Sequence, residues 1–244
     1  MSLTHTDLPS LHEMCEYAAR EIVNTVAELQ QDGSECHIVL TGGTAGIETC
    51  RRLLALHQAA EQQRDSFPIA AINWAATHVY FGDERNVPVA HPDSNEGQAR
   101  EALLNHVPIP AENIHSYNLD GTPEESYLQA KAAEYENALP ASFDIHLFGV
   151  GPDGHVNSLF PHHPVLNTDD CLVAYVMDSP KPPAQRLTLT FPAVQHAKKA
   201  ILLISGKAKA DAYAAVTEGA AKAKCPASEV VRLVDTSVLT SELS

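Results

Sequence analysis

The stretch of sequence that decides the fold is CHIVLTGGT, at residues 36–44. Residues 36–40 form a short apolar run, as expected of a strand that is buried on both faces. The glycines that follow interrupt this run, and Ile47 and Leu54 then resume the apolar pattern at helical spacing. The stretch therefore predicts a strand, a glycine turn and a helix.

The same order of elements occurs again further along the chain. Residues 77–81 predict a second strand, which ends in the charged run at 82–85 and a loop before a helix over about 94–106. Residues 143–150 predict a third strand, which continues into the GPDGH turn at 151–155. Strands that alternate with helices of this length predict an α/β fold: a mostly parallel sheet flanked by helices on both faces, in a Rossmann-like three-layer architecture.

The remaining segments fit the same architecture. A capping-box pattern from Ser10 to Glu13 predicts the start of a helix that ends near Gly33. Further helices are predicted over about 123–139 and 207–216, and further strands over 172–177, 186–190, 200–205 and 230–234. Because no linker, repeat or low-complexity tract interrupts the pattern, we expect residues 1–244 to form a single domain.

Composition limits the classes of function. The 244 residues include 16 Lys and Arg against 31 Asp and Glu, and the formal net charge of -15 disfavours nucleic acid as a partner. No apolar run approaches the roughly 18 to 20 residues of a membrane-spanning helix, and the first residues lack the features of a signal peptide. We therefore expect no membrane association and a cytoplasmic location. The cysteines include no CxxC pair and are expected to be reduced.

Three loops after predicted strands are rich in chemically active residues, and ligands of open parallel sheets bind beyond the carboxyl ends of the strands. In the first loop, Gly42 and Gly43 are followed by Thr44 just before a helix. Glycine lets backbone amides approach an anion closely at a helix N-terminus. A tight turn between a strand and a helix would use the same glycines, so both interpretations stay open.

The second loop concentrates charge in Asp83, Glu84 and Arg85. One interpretation is a solvent-exposed turn held by salt bridges. The functional interpretation is that Arg85 binds a phosphate through two parallel hydrogen bonds while a carboxylate orders the site. Arg186 begins a predicted strand and Lys207 a predicted helix. They are either surface cations or further parts of the positive pocket that an anionic substrate needs in so acidic a chain.

The third loop ends in His155, which directly follows an apolar strand and a glycine-rich turn. An imidazole there can take a proton from water near neutral pH, and the GxGxDGH pattern favours a catalytic histidine over a structural one. His162 and His163 are adjacent on a loop, where two imidazoles seldom converge on one ion. We therefore predict no metal site.

Taken together, these motifs resemble those of the 6-phosphogluconolactonases, within a wider group that includes glucosamine-6-phosphate deaminases and ribose-5-phosphate isomerases. The resemblance covers most of the chain. Its strongest blocks are GDER at 82–85 with DSN at 93–95, GVGPDGH at 149–155 with SLFP at 158–161, and RLTLT at 186–190. The resemblance implies hydrolysis of 6-phospho-D-glucono-1,5-lactone to 6-phospho-D-gluconate in the oxidative pentose phosphate pathway. It also implies a phosphorylated sugar lactone as the small-molecule partner, and no metal or organic cofactor.

The resemblance also implies roles for individual residues. His155 is expected to be the general base, and Asp83 to help order the site. Substrate and phosphate binding is expected of Gly42, Gly43, Thr44, Arg85, Arg186 and Lys207. This chain departs from the family pattern in two places. Its first loop has GGTAG at 42–46 where the family usually has GGSTP, and His162 stands where the family usually has glycine.

Two alternatives use the same pocket. Glucosamine-6-phosphate deaminases typically continue from Asp-Gly-His into Ala-Phe-Asn-Glu, whereas this chain continues with NSLFP at 157–161, which disfavours a deaminase or isomerase. A non-catalytic sugar-phosphate sensor would carry a DNA-binding helical module, for which one compact acidic domain has no room. The expected assembly is a monomer or a small homo-oligomer.

Overall fold

The computed structural model describes residues 1–63 and 70–244. Within these residues the strands are β1 (Leu3–Leu8), β2 (Cys36–Leu40), β3 (Thr77–Phe81), β4 (Asp83–Arg85), β5 (Phe143–Gly149), β6 (Val173–Val176), β7 (Arg186–Leu189), β8 (Ala197–Ser205) and β9 (Asp235–Ser241). A six-stranded parallel sheet has the order β1-β9-β8-β5-β2-β3. A separate antiparallel sheet has the order β4-β7-β6. The predicted α/β fold with a mostly parallel sheet is confirmed.

The helices in the same residues are α1 (Leu11–Leu29), α2 (Gly43–Gln63), α3 (Asn95–Ala102), α4 (Glu125–Asn137), α5 (Phe191–Gln195), α6 (Ala210–Thr217) and α7 (Ala227–Leu233). Helix α1 begins as predicted, because Ser10 Oγ accepts a hydrogen bond from the Glu13 amide at 3.2 Å and donates one to the Glu13 carboxylate at 2.8 Å. Across residues 1–63 and 70–244, no helix is both long and apolar enough to cross a membrane.

The parallel sheet is covered on both faces. Every residue of β5 before Gly149 is buried, and β8 is buried from Ala200 to Ile204. Because successive side chains of a strand point to opposite faces, continuous burial requires packing on both sides. Helices α1 and α2 pack on each other and on the sheet, and α5 and α7 do the same. The sheet is therefore the middle one of three layers.

The predicted last strand was wrong. Residues 230–234 lie in or directly after helix α7, and the last strand is β9, which pairs with both β8 and β1. Ala227, Val230 and Val234 are buried at helical spacing, so packing overrides the strand preference of the valines. The strands β1 and β9 contain many polar residues, LTHTDL and DTSVLTS, which hid them from a search for apolar runs.

The antiparallel sheet was not predicted as a separate unit. Its strands β6 and β7 were predicted as strands, but they were assigned to the main sheet. Strand β4 has only 3 residues, all of them charged, and this is too short to show a period. Pairing with β7 places Asp83 opposite Thr188 and Arg85 opposite Arg186. The charged run after β3 is therefore a buried strand instead of an exposed turn.

The only tryptophan of the chain, Trp74, is buried just before the amino end of β3. Its ring lies 6.3 Å from the ring of His57 on α2, edge to face. The residues after Phe81 lie at the opposite end of the same strand. Trp74 is therefore separated from the loops at the carboxyl ends of the strands by the length of β3, about 17 Å.

Candidate active site

A cavity of about 180 Å³ lies at the carboxyl ends of β2 and β5, beside the antiparallel sheet. Backbone and side chains of residues 41–45 and 149–152 form part of its wall. The rest of the wall is formed by side chains from distant parts of the chain: Asp83, Arg85, Asn95, His155, Asn157, Arg186 and Lys209. All three loops that the sequence singled out therefore meet at one cavity.

The glycine turn after β2 is shaped by its neighbours. Gly43 has a φ of 73°, a conformation that favours glycine. A Cβ at Gly42 would lie 1.8 Å from Oδ1 of Asn95, so a side chain at Gly42 is excluded. Helix α2 begins at Gly43, and the amides of its first turn lack acceptors within the helix. These amides and the helix dipole give this wall of the cavity a partial positive charge.

Glu84 is a buried carboxylate that organises the loop before α3. Its side chain is 3% exposed and accepts hydrogen bonds of 2.8 to 3.0 Å from a hydroxyl and three amides, those of Ser94, Arg85, Asn95 and Glu96. Burial raises the pKa of Glu84 to about 7, and these donors act in the opposite direction. Glu84 thereby fixes the position of Asn95, which lines the cavity.

Asp83 connects the antiparallel sheet to the other loops. It accepts a hydrogen bond from Asn95 Nδ2 at 3.0 Å and another from Ser158 Oγ at 2.6 Å. The guanidinium of Arg186 lies 3.7 Å from its second oxygen. Since all of these groups are buried, Asp83 is a charged centre around which the site is assembled.

The two arginines of the cavity lie directly opposite each other on neighbouring strands, Arg85 on β4 and Arg186 on β7. Paired residues of a sheet lie on the same face, and like charges opposite each other are destabilising. Burial lowers the pKa of Arg186, Asp83 opposes this, and Arg85 lowers it further. An anion between the two guanidiniums would relieve the repulsion.

The hydrogen bonds of these arginines differ. Arg186 Nε donates to the carbonyl of Pro183 and Nη2 to that of Lys181, both at 3.0 Å. Arg85 Nη1 donates to the carbonyl of Asp93 at 2.6 Å, and Arg85 Nε is buried without a partner among the described residues. Arg85 therefore has donors left for a ligand, whereas most donors of Arg186 hold the loop before β7.

His155 forms a close pair with a carboxylate. Its Nδ1 lies 2.5 Å from Asp153 Oδ1 and 3.1 Å from Lys181 Nζ, which itself lies 3.3 Å from the same oxygen. Burial raises the pKa of Asp153, but the hydrogen bond and charge of His155, with the charge of Lys181, outweigh it and hold that pKa well below its ordinary value. An ionised Asp153 accepts the proton of Nδ1, which leaves Nε2 of the neutral ring as the basic nitrogen.

Two glycines allow the turn that carries this pair to pack closely, one against the pair itself and one against Cys225. A Cβ at Gly151 would lie 2.1 Å from the His155 ring and 2.7 Å from Asp153 Oδ1. Gly154 has a φ of 80°, and a Cβ there would lie 2.7 Å from Sγ of Cys225. The GxGxDGH spacing is thus the sequence signal of an imidazole that folds back over its own turn.

Comparison with known proteins gives the relatives of this chain. Residues 9–239 match the family described as glucosamine-6-phosphate isomerases/6-phosphogluconolactonase. The chain belongs to this family. A 6-phosphogluconolactonase of Mycobacterium tuberculosis is 40% identical over 223 residues, which are 88% of this chain and 85% of that protein. One from Streptomyces coelicolor is 37% identical over 225 residues, 88% of this chain and 82% of that protein.

Solved structures agree with this assignment. A 6-phosphogluconolactonase of Leishmania guyanensis is 25% identical and superposes with a TM-score of 0.81, over 99% of this chain and 97% of that chain. A monomeric glucosamine-6-phosphate deaminase, 21% identical, shares the fold with a TM-score of 0.80 over 98% of both chains. The resemblance inferred from sequence motifs to the 6-phosphogluconolactonase family is therefore confirmed.

Most residues that the family pattern suggested lie in the cavity, with one exception. Gly42, Gly43, Thr44, Asp83, Arg85, His155 and Arg186 all line it. Lys207 is exposed and lies outside the cavity wall, whereas Lys209 lines it and is half-buried. Burial, and then the charge of Lys181, lowers the pKa of Lys209. Both lysines lie on the 3-10 turn at 207–209 that precedes α6, and the role predicted for Lys207 stays a prediction.

Several residues that line the cavity or contact His155 were not identified as site residues from the sequence. Asp153 lies inside a motif that the sequence had singled out, and its separation from His155 by one glycine was the available signal. Asn95 was quoted as part of the DSN motif without a role. Asn157 and Lys209, which line the cavity, and Lys181, which contacts His155, gave no local signal, since only the folded chain brings them together.

The adjacent histidines lie away from this cavity. His163 Nε2 is 3.0 Å from Asp178 Oδ1, and its Nδ1 accepts a hydrogen bond from the Val165 amide at 3.2 Å. His163 borders a separate hollow of about 650 Å³ between α4 and β6, and His162 is exposed. Among the residues that the structure describes, no group of three or more His, Cys, Asp or Glu side chains is arranged to hold a metal ion.

Proposed function

We propose that this protein hydrolyses 6-phospho-D-glucono-1,5-lactone to 6-phospho-D-gluconate, a step of the oxidative pentose phosphate pathway, with His155 as the general base. The observation that carries the proposal is that His155, which is paired with the carboxylate of Asp153, lines the same cavity as two opposed arginines. The relatives at 37% and 40% identity, each named 6-phosphogluconolactonase, support the same reaction.

In the proposed first step, Nε2 of His155 takes a proton from water. The water oxygen forms a bond to the lactone carbonyl carbon, and the carbonyl electron pair moves to its oxygen. Collapse of this intermediate breaks the bond to the ring oxygen, which receives the proton back from Nε2 and leaves as a hydroxyl group. A positioned base typically contributes roughly 10² to 10⁴ in rate. Water is the only co-reactant, so the step needs no metal or organic cofactor.

The phosphate is proposed to bind at the arginine pair and the first turn of α2. Arg85 supplies free donors, Arg186 supplies buried positive charge, and Gly43 and Thr44 supply the amides of the helix N-terminus. Lys209 adds a further cation at the wall. Anchoring the phosphate away from the reacting carbon uses its binding energy to hold the carbonyl against the water.

The test is a coupled assay on freshly generated 6-phosphoglucono-δ-lactone, with spontaneous hydrolysis as the background in the same cuvette. We expect lactone consumption well above that background. Ammonia release from glucosamine 6-phosphate is measured in parallel, and we expect none. A lactone rate equal to the background would overturn the proposal: ammonia release would then indicate a deaminase, and binding without turnover a sensor.

Three broader features belong to the same proposal. Residues 1–244 are taken to form a single domain, as a monomer or a small homo-oligomer, in the cytoplasm. Thermal unfolding tests whether the chain forms a single domain, and light scattering of the purified protein tests its assembly. A single cooperative transition with a mass of one or a few chains is expected.

A further inference from the structure

One side chain of the cavity wall has no role in the mechanism above. Asn157 is 5% exposed, and neither its Oδ1 nor its Nδ2 makes a hydrogen bond to another described residue. Leaving a buried polar group unpaired costs about 1–3 kcal/mol, so native proteins rarely do it without a reason. An amide that lines a cavity in this state is ready to bind a polar ligand.

The backbone holds Asn157 firmly in this position. Its φ of 50° lies in the left-handed region, which asparagine tolerates better than most residues. The next residue, Ser158, donates its hydroxyl to Asp83 at 2.6 Å and its amide to Thr188 Oγ1 at 3.1 Å. The antiparallel sheet therefore fixes the turn that presents the Asn157 carboxamide.

A second buried polar group lies behind this carboxamide. A Cβ at Gly82 would lie 2.3 Å from Asn157 Oδ1 and 3.1 Å from His146 Nε2, so the absence of a side chain there lets the two groups approach each other. His146 is fully buried, and its ring stacks on that of Phe148 with 3.8 Å between centroids. Neither of its ring nitrogens has a hydrogen-bond partner among the described residues.

His146 is neutral at physiological pH. Burial lowers its pKa to about 3, and the neighbouring Asn157 side chain acts in the opposite direction. A neutral imidazole has one donor and one acceptor nitrogen. It can therefore orient the carboxamide of Asn157 without placing a charge beside the anionic substrate.

We propose that Asn157 is a specificity-determining residue that hydrogen-bonds the hydroxyl group next to the lactone carbonyl, and that His146 is a positioning residue that orients its amide. This inference rests on the proposed lactonase function. Asn157 follows His155 by two residues on the same turn, and both side chains line the cavity. A site built to hydrogen-bond a substrate hydroxyl rejects the analogue that lacks it.

The experiment compares the parent lactone with its 2-deoxy analogue, each generated by enzymatic oxidation of the corresponding sugar 6-phosphate. The quantity measured is the ratio of kcat/KM for the two substrates. The wild-type protein should prefer the parent, and Asn157→Ala should reduce that preference by roughly tenfold or more, because one hydrogen bond to the hydroxyl is lost. The value of kcat/KM for the 2-deoxy substrate should change little.

Four further variants protect the test against effects on folding. Asn157→Gly removes the side chain without strain at positive φ. Asn118→Ala is the matched control, because Asn118 also has a left-handed φ, of 52°, but lies outside the cavity. This variant should keep the wild-type preference for the parent lactone. His146→Phe keeps an aromatic ring stacked on Phe148 but removes both ring nitrogens. It should lower the preference for the parent lactone by a smaller factor than Asn157→Ala does. His146→Gln should retain more of this preference than His146→Phe.

The outcomes separate this inference from the proposed function. If the wild-type protein does not hydrolyse the parent lactone, the proposed function fails and the inference fails with it. If the wild-type protein is active and prefers the parent, but both Asn157 variants lose kcat/KM equally on the two substrates, the inference alone is overturned.

Discussion

The cavity combines residues from two sheets that are built in different ways. The parallel sheet contributes the glycine turn after β2 and the turn after β5 that carries His155. The antiparallel sheet contributes Arg85 and Arg186, held by buried carboxylates and carbonyls. The proposed proton transfer thus depends mainly on one sheet and anion binding mainly on the other. Substitutions on the two sides should therefore change different kinetic constants.

The largest effect is expected on the parallel-sheet side. In His155→Ala, kcat should fall by roughly 10² to 10⁴, because the base is lost. KM should change little, since the phosphate contacts remain. Steady-state kinetics with the lactone measures both constants. A folded variant that hydrolyses the lactone at the wild-type kcat would show that His155 is not the base.

The arginines sharpen the comparison on the antiparallel side. Arg85→Gln should raise KM roughly 10- to 100-fold, since a charged hydrogen bond contributes about 1.5–3 kcal/mol. The thermal stability of this variant should be kept, because the repulsion between the two opposed arginines is removed. Arg186→Gln should also lower the melting temperature, because its donors hold the carbonyls of Lys181 and Pro183. Equal loss of stability in both variants would contradict the distinction drawn between them.

A smaller effect is expected where the carboxylate acts through the base. Asp153→Asn removes the charged acceptor of the Nδ1 proton, so the ring is less firmly held in the reactive tautomer. We expect kcat to fall roughly tenfold, with KM within about twofold of wild type. Lys181→Met is the useful companion variant, since it removes the other group close to Nδ1. If Asp153→Asn raised KM and left kcat unchanged, the carboxylate would belong to the anion-binding side.

The smallest effect on catalysis is expected from Glu84→Gln. This variant tests how the buried carboxylate of Glu84, on β4, contributes to folding stability. The folded-state pKa of Glu84, about 7, lies above the ordinary value near 4.3, so the folded protein binds more protons between these values. Folding stability should therefore fall as the pH rises from about 4.3 to 7. Denaturation curves of the variant across this range should lose that slope; an unchanged slope would assign it to another group.

The two sides of the cavity also differed in how far the sequence revealed them. The turn after β5 was recognisable because Gly151 and Gly154 are required by a nearby imidazole and thiol, and such requirements leave fixed spacings. The antiparallel sheet was hidden, because the opposition of Arg85 and Arg186 is set by register between strands about 100 residues apart, and no local period encodes it.

Other features of the site were also not apparent from the sequence, for equally specific reasons. Lys207 and Lys209 differ only in their phase on a 3-10 turn, which decides which ammonium faces the cavity. Asn157 gives no signal because its importance comes from its two unpaired polar atoms and from His146, which lies on β5. The partners of a polar group depend on tertiary contacts, and these follow from the fold as a whole.

The position of Trp74 makes these experiments easier to interpret. Since this is the only indole of the chain and it is buried at the end of β3 remote from the cavity, we expect its emission to follow unfolding and not the binding of a sugar phosphate. The folding of each variant can therefore be followed optically under assay conditions, so a damaged site and a damaged protein give distinct signals.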